Sequence, residues 1–242
     1  MKSESRIGFK TMSSGLANAH NYFDWQLHLI KPYLGKTILE CGTGNGILTR
    51  QLLQTKAEHI TSIDIDIACL DHITKEITDS RLEVKQIDLS DHNWQRQFNN
   101  RYFDTAIMFN VLEHLRCDLQ AVQQLAFCLK PKGKLLLFVP AFQVLYGGMD
   151  KTAGHFRRYH RKAIIQLLRQ AGFRKIEAEY VNPLGFFGWF ITNKIGKVKD
   201  LNASLVNSQI SLYDKYLLPL SNTLQPITKY AFGQSIYAIA TK

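Results

Sequence analysis

The sequence predicts an α/β protein built on a doubly wound, mainly parallel sheet. Short apolar runs suited to strands alternate with helix-periodic segments along most of the chain, which implies right-handed strand–helix–strand crossovers. A glycine-rich turn, Gly42-x-Gly44-x-Gly46, joins the first of those runs to a helical segment. An acid, Asp64, ends the second run about 20 residues beyond the glycines, a position at the carboxyl edge of such a sheet.

Taken in order, residues 16–33 predict a helix, with Leu16, Ala19, Phe23, Leu27 and Ile30 near a helical period and Pro32 and Gly35 punctuating its end. "KTILEC" reads as a buried strand, "GILTRQLLQT" as a helix and "HITSID" as the second strand. "IACLDHITKEIT" is a helix and "LEVKQIDL" the third strand. "FDTAIMFNV" is the fourth strand, and a helix near 117–129 leads to the fifth, "KPKGKLLLFVP". Residues 161–172 form a helix ending at Gly172. "FRKIEAEYV" and "QSIYAIATK" are two last strands that pair as a hairpin-like edge, with an aromatic-rich section, 183–226, between them. No repeat, low-complexity tract or linker divides the chain, so residues 1–242 are expected to form one domain.

Composition limits the function classes. With 45% hydrophobic and 21% charged residues the 242-residue chain is that of an ordinary globular protein. No apolar run approaches the roughly 18–20 residues that span a bilayer. "MKSESRIGFK" lacks the apolar core of a signal peptide. Cys41, Cys69, Cys117 and Cys128 show neither close pairing nor metal-ligand spacing, which predicts reduced thiols in a cytoplasmic protein. Thirty Lys and Arg against 20 Asp and Glu give +10, a balance that favours acidic partners: anionic small molecules, a membrane surface or nucleic acid. The densest basic run is "HFRRYHRK", His155 to Lys162.

The glycine turn narrows this further. A bare backbone between strand and helix lets a ligand approach the main chain and exposes a helix N-terminus. The spacing is not the G-x-G-x-x-G of a dinucleotide site, and Glu40, at the end of the first strand, would repel a pyrophosphate yet could hold an ammonium group. Asp64 stands where a carboxylate accepts both ribose hydroxyls. An adenosine carrying an amino acid instead of phosphates satisfies both acids, and S-adenosylmethionine is such a ligand.

In these segments the chain resembles the class I S-adenosylmethionine-dependent methyltransferases, and the likeness covers most of its length. The family's first motif matches "ILECGTGNG", with Glu40, Gly42, Thr43, Gly44 and Gly46. Its ribose position matches Asp64 in "SIDID", with Ile65 beside the adenine. Its acid after strand three matches Asp88 in "KQIDLSD", followed by Leu89. "FDTAIMFNVLEHL" and "LKPKGKLLLFVP" match the later motifs. Within the family the chain is most similar to bacterial small-molecule enzymes with an Asn-Tyr-x-x-Trp helix and a Gly-His-x-Arg-Arg-Tyr loop, here "NYFDW" and "GHFRRY". The resemblance implies a Rossmann-like sheet of seven strands in the order 3-2-1-4-5-7-6, the last antiparallel, with helices on both faces. It also implies S-adenosylmethionine as cofactor and S-adenosylhomocysteine as product. Residues 1–34 would form a helical lid, Tyr22 touching the methionine carboxylate, and the main chain at Asn110 would run beside the methionine portion.

The acceptor side follows strands four and five. "NVLEHL" places Asn110, Glu113 and His114 at the sheet's mouth. Some relatives hold a divalent metal with Glu-x-x-Glu-His there; Asn110 stands in the first position, so no metal is expected, and Glu113 with His114 also reads as a helix start with a hydrogen-bonded histidine. In "MDKTAGHFRRYHR", His155 is the candidate general base, with His114 and Tyr159 as further catalytic candidates. Arg157 and Arg158 either bind an acidic acceptor or pair with Asp150 as scaffold. Trp25 is either an acceptor-side lid residue or ordinary core. In the section from Tyr180 to Asp200, Phe187 and Trp189 suggest a pocket for a bulky apolar acceptor. With Lys194, Lys197 and Lys199 the same section also reads as a helix lying on a membrane surface, or as an insert packed on the sheet and on a second copy in a homodimer. The expected activity is methyl transfer to a small molecule, at a hydroxyl oxygen first, such as a natural product or lipid-like metabolite. The alternatives are a nucleic-acid methyltransferase, against which "NVLE" stands where Asn-Pro-Pro-Tyr would, and a non-catalytic cofactor-binding protein.

Overall fold

Strand parity fixes which side of the sheet each residue serves. The computed structural model describes residues 19–98, 103–192, 208 and 210–242. In β1 (Thr37–Cys41) the last four residues are all buried, as expected for a strand covered on both faces. Ile38 packs with Ile60, Ile107 and Phe138 on one face, beneath helices α1 (His20–Ile30) and α2 (Ile47–Leu53). Leu39 and Cys41 pack on the other with Met108, Leu137 and Trp94, beneath α4 (Asp118–Cys128) and α6 (Arg161–Gln170). Glu40 shares the parity of Ile38, so its side chain falls on the α2 face.

β1 pairs in parallel with β2 (His59–Asp64) and β4 (Phe103–Phe109). Outside them lie β3 (Leu82–Gln86), beyond β2 and its helix α3 (Ile67–Glu76), and β5 (Leu129–Pro140). β7 (Ser235–Thr241) inserts between β5 and β6 (Lys175–Val181), antiparallel to both. The order β3-β2-β1-β4-β5-β7-β6 is the expected one, and it reverses direction between β1 and β4, opening a crevice at the carboxyl edge.

Boundaries move for local reasons. β3 stops at Gln86 because the Ile87 amide turns to the Asp64 carbonyl (3.0 Å). β5 starts at Leu129 and absorbs the "KPKG" turn through an irregularity opposite Phe103, with Lys132 at φ 67°. After β5 comes a short helix α5 (Gly148–Thr152). The aromatic section holds α7 (Pro183–Phe190), a π-turn at Tyr213–Leu217 and α8 (Leu218–Thr228). Leu16, Lys194, Lys197 and Lys199 lie outside the described residues. Among those described, no helix is long and apolar enough to cross a membrane, and no cysteine is in a disulfide.

Two contacts tie the insert to the elements around it. Asp214, 7% exposed, accepts from the amides of Asn21 (3.3 Å) and Tyr22 (2.7 Å), capping the N-terminus of α1 from the far end of the chain. Asn182, in the left-handed region at φ 64°, accepts from the Gly185 amide (3.1 Å) and the Tyr213 hydroxyl and donates to Gln234 (2.7 Å).

Candidate active site

The glycine turn is shaped by what it touches. Gly42, Gly44 and Gly46 have φ of 81°, 52° and 75°, in the region glycine favours. A Cβ on Gly42 would lie 2.3 Å from Val111 Cγ2. The Gly42 amide donates to the Ile63 carbonyl (2.8 Å) and the Gly44 amide to Asp64 Oδ2 (3.1 Å). Asp64 Oδ1 accepts from the Asp66 amide (2.9 Å), so this carboxylate braces the turn against the end of β2 and keeps further lone pairs for a ligand.

Glu40 is 1% exposed. Its Oε2 accepts from Thr49 Oγ1 (2.7 Å) and Ser62 Oγ (2.6 Å), whereas Oε1 is buried with no hydrogen-bond partner. Burial pushes its pKa up to about 7 against the opposing pull of the two hydroxyls. Thr43 Oγ1, on the turn itself, is likewise buried and unpartnered. An ammonium donor at this edge would satisfy both atoms, so the residues present fit the amino-acid end of S-adenosylmethionine.

The other cofactor candidates ring the same edge. Asp88 Oδ1 accepts from the Ser90 amide (2.9 Å), Leu89 is buried beside it, and Ile65 is half-buried. Asn110 takes φ 52° at the end of β4, its amide bonded to the Phe138 carbonyl (2.8 Å). Tyr22 and Trp25 stack obliquely on each other and meet Phe138 edge-on, with centroids 6.4 and 6.1 Å away. Burial raises the Tyr22 hydroxyl's pKa. Both aromatics are half-buried members of the α1–α2 core.

Across the crevice, the turn after β4 and the loop after β5 meet. Glu113 is fully buried, and neither carboxylate oxygen has a hydrogen-bond partner. Burial pushes its pKa up to about 7. His155 Nε2 lies 3.8 Å from Glu113 Oε1, and His155 Nδ1 lies 2.9 Å from Asp150 Oδ1. His114 sits edge-on to His155 at 4.7 Å, and its pKa is lowered to about 4, by burial first and by His155 second. One ligand atom from each of Glu113, His114 and His155 lies within 4.8 Å of the others.

The two arginines are committed to partners. Arg158, 5% exposed, donates to Asp150 Oδ1 (2.7 Å) and the Ala141 carbonyl (3.2 Å), and its guanidinium lies 4.9 Å over the Trp189 ring. Asp150 is buried, which acts to raise its pKa, yet His155 and Arg158 hold it below the usual carboxylate range. Arg157 pairs with Asp118 (2.7 Å) and the Arg116 carbonyl. The Tyr159 hydroxyl donates to the Leu112 carbonyl (3.3 Å) and lies 3.0 Å from Asp118; burial drives its pKa well up, which makes it a brace and a poor base. Trp189 Nε1 is buried without a partner, while Phe187 is half-exposed against Phe186 and Phe232.

Sequence reasoning missed four members of this framework. Ser62 was in reach of inspection, since it pairs in register with Glu40 across β1 and β2. Thr49 lies near the start of the following helix. Asp214 and Asn182 carry no local signal.

The sheet order, the glycine turn and the acids at the ends of β1, β2 and β3 define the class I S-adenosylmethionine-dependent methyltransferase domain. A family model described as "Methyltransferase domain" matches residues 19–178, and the chain belongs to that family. It is 29% identical over 123 residues to a tRNA U34 carboxymethyltransferase of Azotobacter vinelandii, covering 47% of this chain and 36% of that one. It is 26% identical over 155 residues to a probable S-adenosylmethionine-dependent methyltransferase of Mycolicibacterium smegmatis, covering 63% and 56%. The chain thus spans between about a third and just over half of these curated relatives' lengths. Among solved structures, a methyltransferase from Archaeoglobus fulgidus has a similar fold, with a TM-score of 0.61 at 15% identity over 96% of both chains.

Proposed function

We propose that the chain methylates a hydroxyl oxygen of a small, largely apolar molecule, with His155 as general base. When bound, S-adenosylmethionine supplies an electrophilic methyl group and departs as S-adenosylhomocysteine. Glu40 Oε1 and Thr43 Oγ1 take the ammonium, Asp64 the ribose, and Ile65, Asp88 and Leu89 the adenine; Asn110 and Tyr22 border the methionine end.

The observation that carries the acceptor assignment is the Asp150–His155 pair ending on the unpartnered Glu113 carboxylate. Asp150 fixes Nδ1 as the protonated nitrogen, so the Nε2 lone pair faces the crevice and can take the acceptor's proton as the new C–O bond forms and the C–S bond breaks. At 3.8 Å Glu113 is too far to hydrogen-bond Nε2, which keeps its lone pair for an acceptor hydroxyl approaching from the side, and a buried site keeps water from competing. Trp189 Nε1 offers the acceptor a donor. Arg157, Arg158 and Tyr159 act as scaffold and not as acceptor ligands, because Asp118, Asp150 and main-chain carbonyls already hold them. The same pairing neutralises two of the three arginines of the densest basic run, Arg157 and Arg158, which supports a small molecule over a nucleic acid. The absence of any disulfide supports a reducing, cytoplasmic setting.

Labelled S-adenosylmethionine offered with phenolic, alcohol and amine acceptors tests this: product from hydroxyl compounds alone is expected. Transfer only to RNA, or to nothing while the cofactor binds, would replace the proposal by one of its alternatives. Asp64→Ala is expected to weaken cofactor binding by about 100-fold in calorimetry, since it removes a charge-assisted bond and the brace on Gly44. Unchanged affinity would refute the ribose assignment.

One observation favours a second reading, a divalent cation held by Glu113, His114 and His155, whose ligand atoms already converge. The two are exclusive at His155 Nε2. On the base reading, chelator treatment leaves turnover within about twofold and manganese titration gives no binding isotherm. A chelator-sensitive enzyme would favour the cation.

A further inference from the structure

Helix α7 has two faces with different partners. Inward, Trp189 lies under Arg158 and Phe186 meets Phe142 edge-on at 5.7 Å, which fixes the helix over the loop after β5. Outward, Phe187, Phe190 and Ile191 follow an i, i+3, i+4 spacing and are 51%, 37% and 54% exposed. α8 packs on α7 and, with the π-turn before it, carries a second stripe. Leu212, Tyr216, Leu220 and Ile227 stand near a helical period, with Ile227 as much as 83% exposed. A soluble surface seldom shows this many large apolar side chains together without a use for them.

The charges around the stripes select the occupant. Among the described residues of 183–232 the only acid is Asp214, and it is buried as the cap of α1. The basic residues there are Lys215 and Lys229. Lys215 lies 5.0 Å over the exposed ring of Tyr216; Lys229 and Arg161 each lie 4.9 Å over that of Tyr230. The face is therefore apolar at its centre and rimmed by tyrosine–cation pairs. The one carboxylate at its rim, Glu179, is held by Lys229 at 3.0 Å, which leaves Lys215 and Arg161 as its cations without an acidic partner among the described residues. A second copy would bring the same cations onto its own, on chains of net charge +10 each. An anionic lipid surface complements both features, because aromatic and aliphatic side chains enter the interface while lysines meet the headgroups.

We propose that the α7–α8 face docks peripherally on an anionic membrane. Since α7 also reaches the acceptor site through Trp189, docking turns the crevice toward a lipid-borne compound. The inference stands whether or not the hydroxyl assignment does, because its test reads lipid binding and not turnover.

The full chain is sedimented with vesicles of phosphatidylcholine alone and of phosphatidylcholine with about one-third phosphatidylglycerol. Binding is expected only to the anionic vesicles, and it should fall roughly tenfold in about 0.5 M salt. The double variant Leu220→Ser, Ile227→Ser should lose at least tenfold in vesicle affinity while S-adenosylmethionine affinity and thermal stability hold, since both side chains are exposed. Lys215→Glu should weaken binding to anionic vesicles several-fold. The proposal fails if wild type ignores anionic vesicles, or if the serine variant binds them as well as wild type does. It also fails if light scattering shows a dimer that the serine variant dissolves and that does not sediment with lipid; the face would then belong to a second copy.

Discussion

His155→Ala is expected to lower turnover about 10²- to 10⁴-fold while leaving S-adenosylmethionine affinity within about twofold. The two effects separate because the parts are separate. The cofactor side is built from the ends of β1, β2 and β3, whereas His155 hangs from the loop after β5 and meets Asp150, His114 and Glu113. Its removal leaves Gly44, Asp64 and Glu40 bonded as before. Asp150→Asn serves as the companion. It should also slow turnover, by releasing the Nδ1 proton's orientation, but it disturbs Arg158 and the Gly147 amide as well, so part of its effect is structural. Thermal stability distinguishes them: the alanine variant should keep its melting temperature, while the asparagine variant, which disturbs the buried Arg158 pair, should melt lower. Full turnover in the alanine variant would mean that the proton leaves by another route, or that the acceptor atom needs no base.

How much of this could be read from residue order depends on the distance over which the signal acts. The strands announced themselves because each is a local apolar run, and β1, buried on both faces, is the clearest. The glycines and acids of the cofactor edge were visible because one crossover brings them together: Gly44 and Asp64 touch at a separation of 20 residues. Glu113 and His155 belong to two different loops, and the sequence cannot tell a buried carboxylate with no donor from a helix-start cap. Burial decides that, and burial is a property of the assembled sheet. The same holds for Arg158. Its sequence neighbours leave it open between a ligand for an acidic acceptor and a scaffold partner of Asp150, and the fold sets it on Asp150 at 2% side-chain exposure. Asp214 lies furthest beyond a sequence reading, since it caps a helix 193 residues away in the chain.

Glu40→Gln should change stability and cofactor affinity in opposite directions at about pH 8. Burial raises the Glu40 carboxyl from an ordinary carboxylate value to about 7 in the folded protein, so the folded state holds the proton more tightly than the unfolded chain does. The sign follows: the neutral carboxyl favours folding at pH below the raised value, and that contribution is lost as pH rises through about 7. A shift of this size corresponds to roughly 3 kcal/mol between the two limits. Glutamine carries no charge to bury, so the cofactor-free variant should melt higher than wild type at about pH 8 and show a flatter decline between about pH 5 and 8. The residual slope combines Glu113, whose shift has the same cause and direction, with the opposite contribution of His114, which is buried neutral and adds stability as pH rises towards its ordinary value. Cofactor binding should respond in the reverse sense. An ammonium group supplies the donor that Oε1 lacks and draws the carboxyl back to its ionised form. Wild-type affinity should therefore weaken as pH falls below about 7, and the glutamine variant should bind about 10- to 100-fold more weakly at about pH 8, with little pH dependence. A carboxylate with a purely structural role would move the melting temperature and leave affinity alone. Calorimetry showing equal affinity in the two proteins would remove Glu40 from the cofactor site and leave Thr43 to hold the amino-acid end.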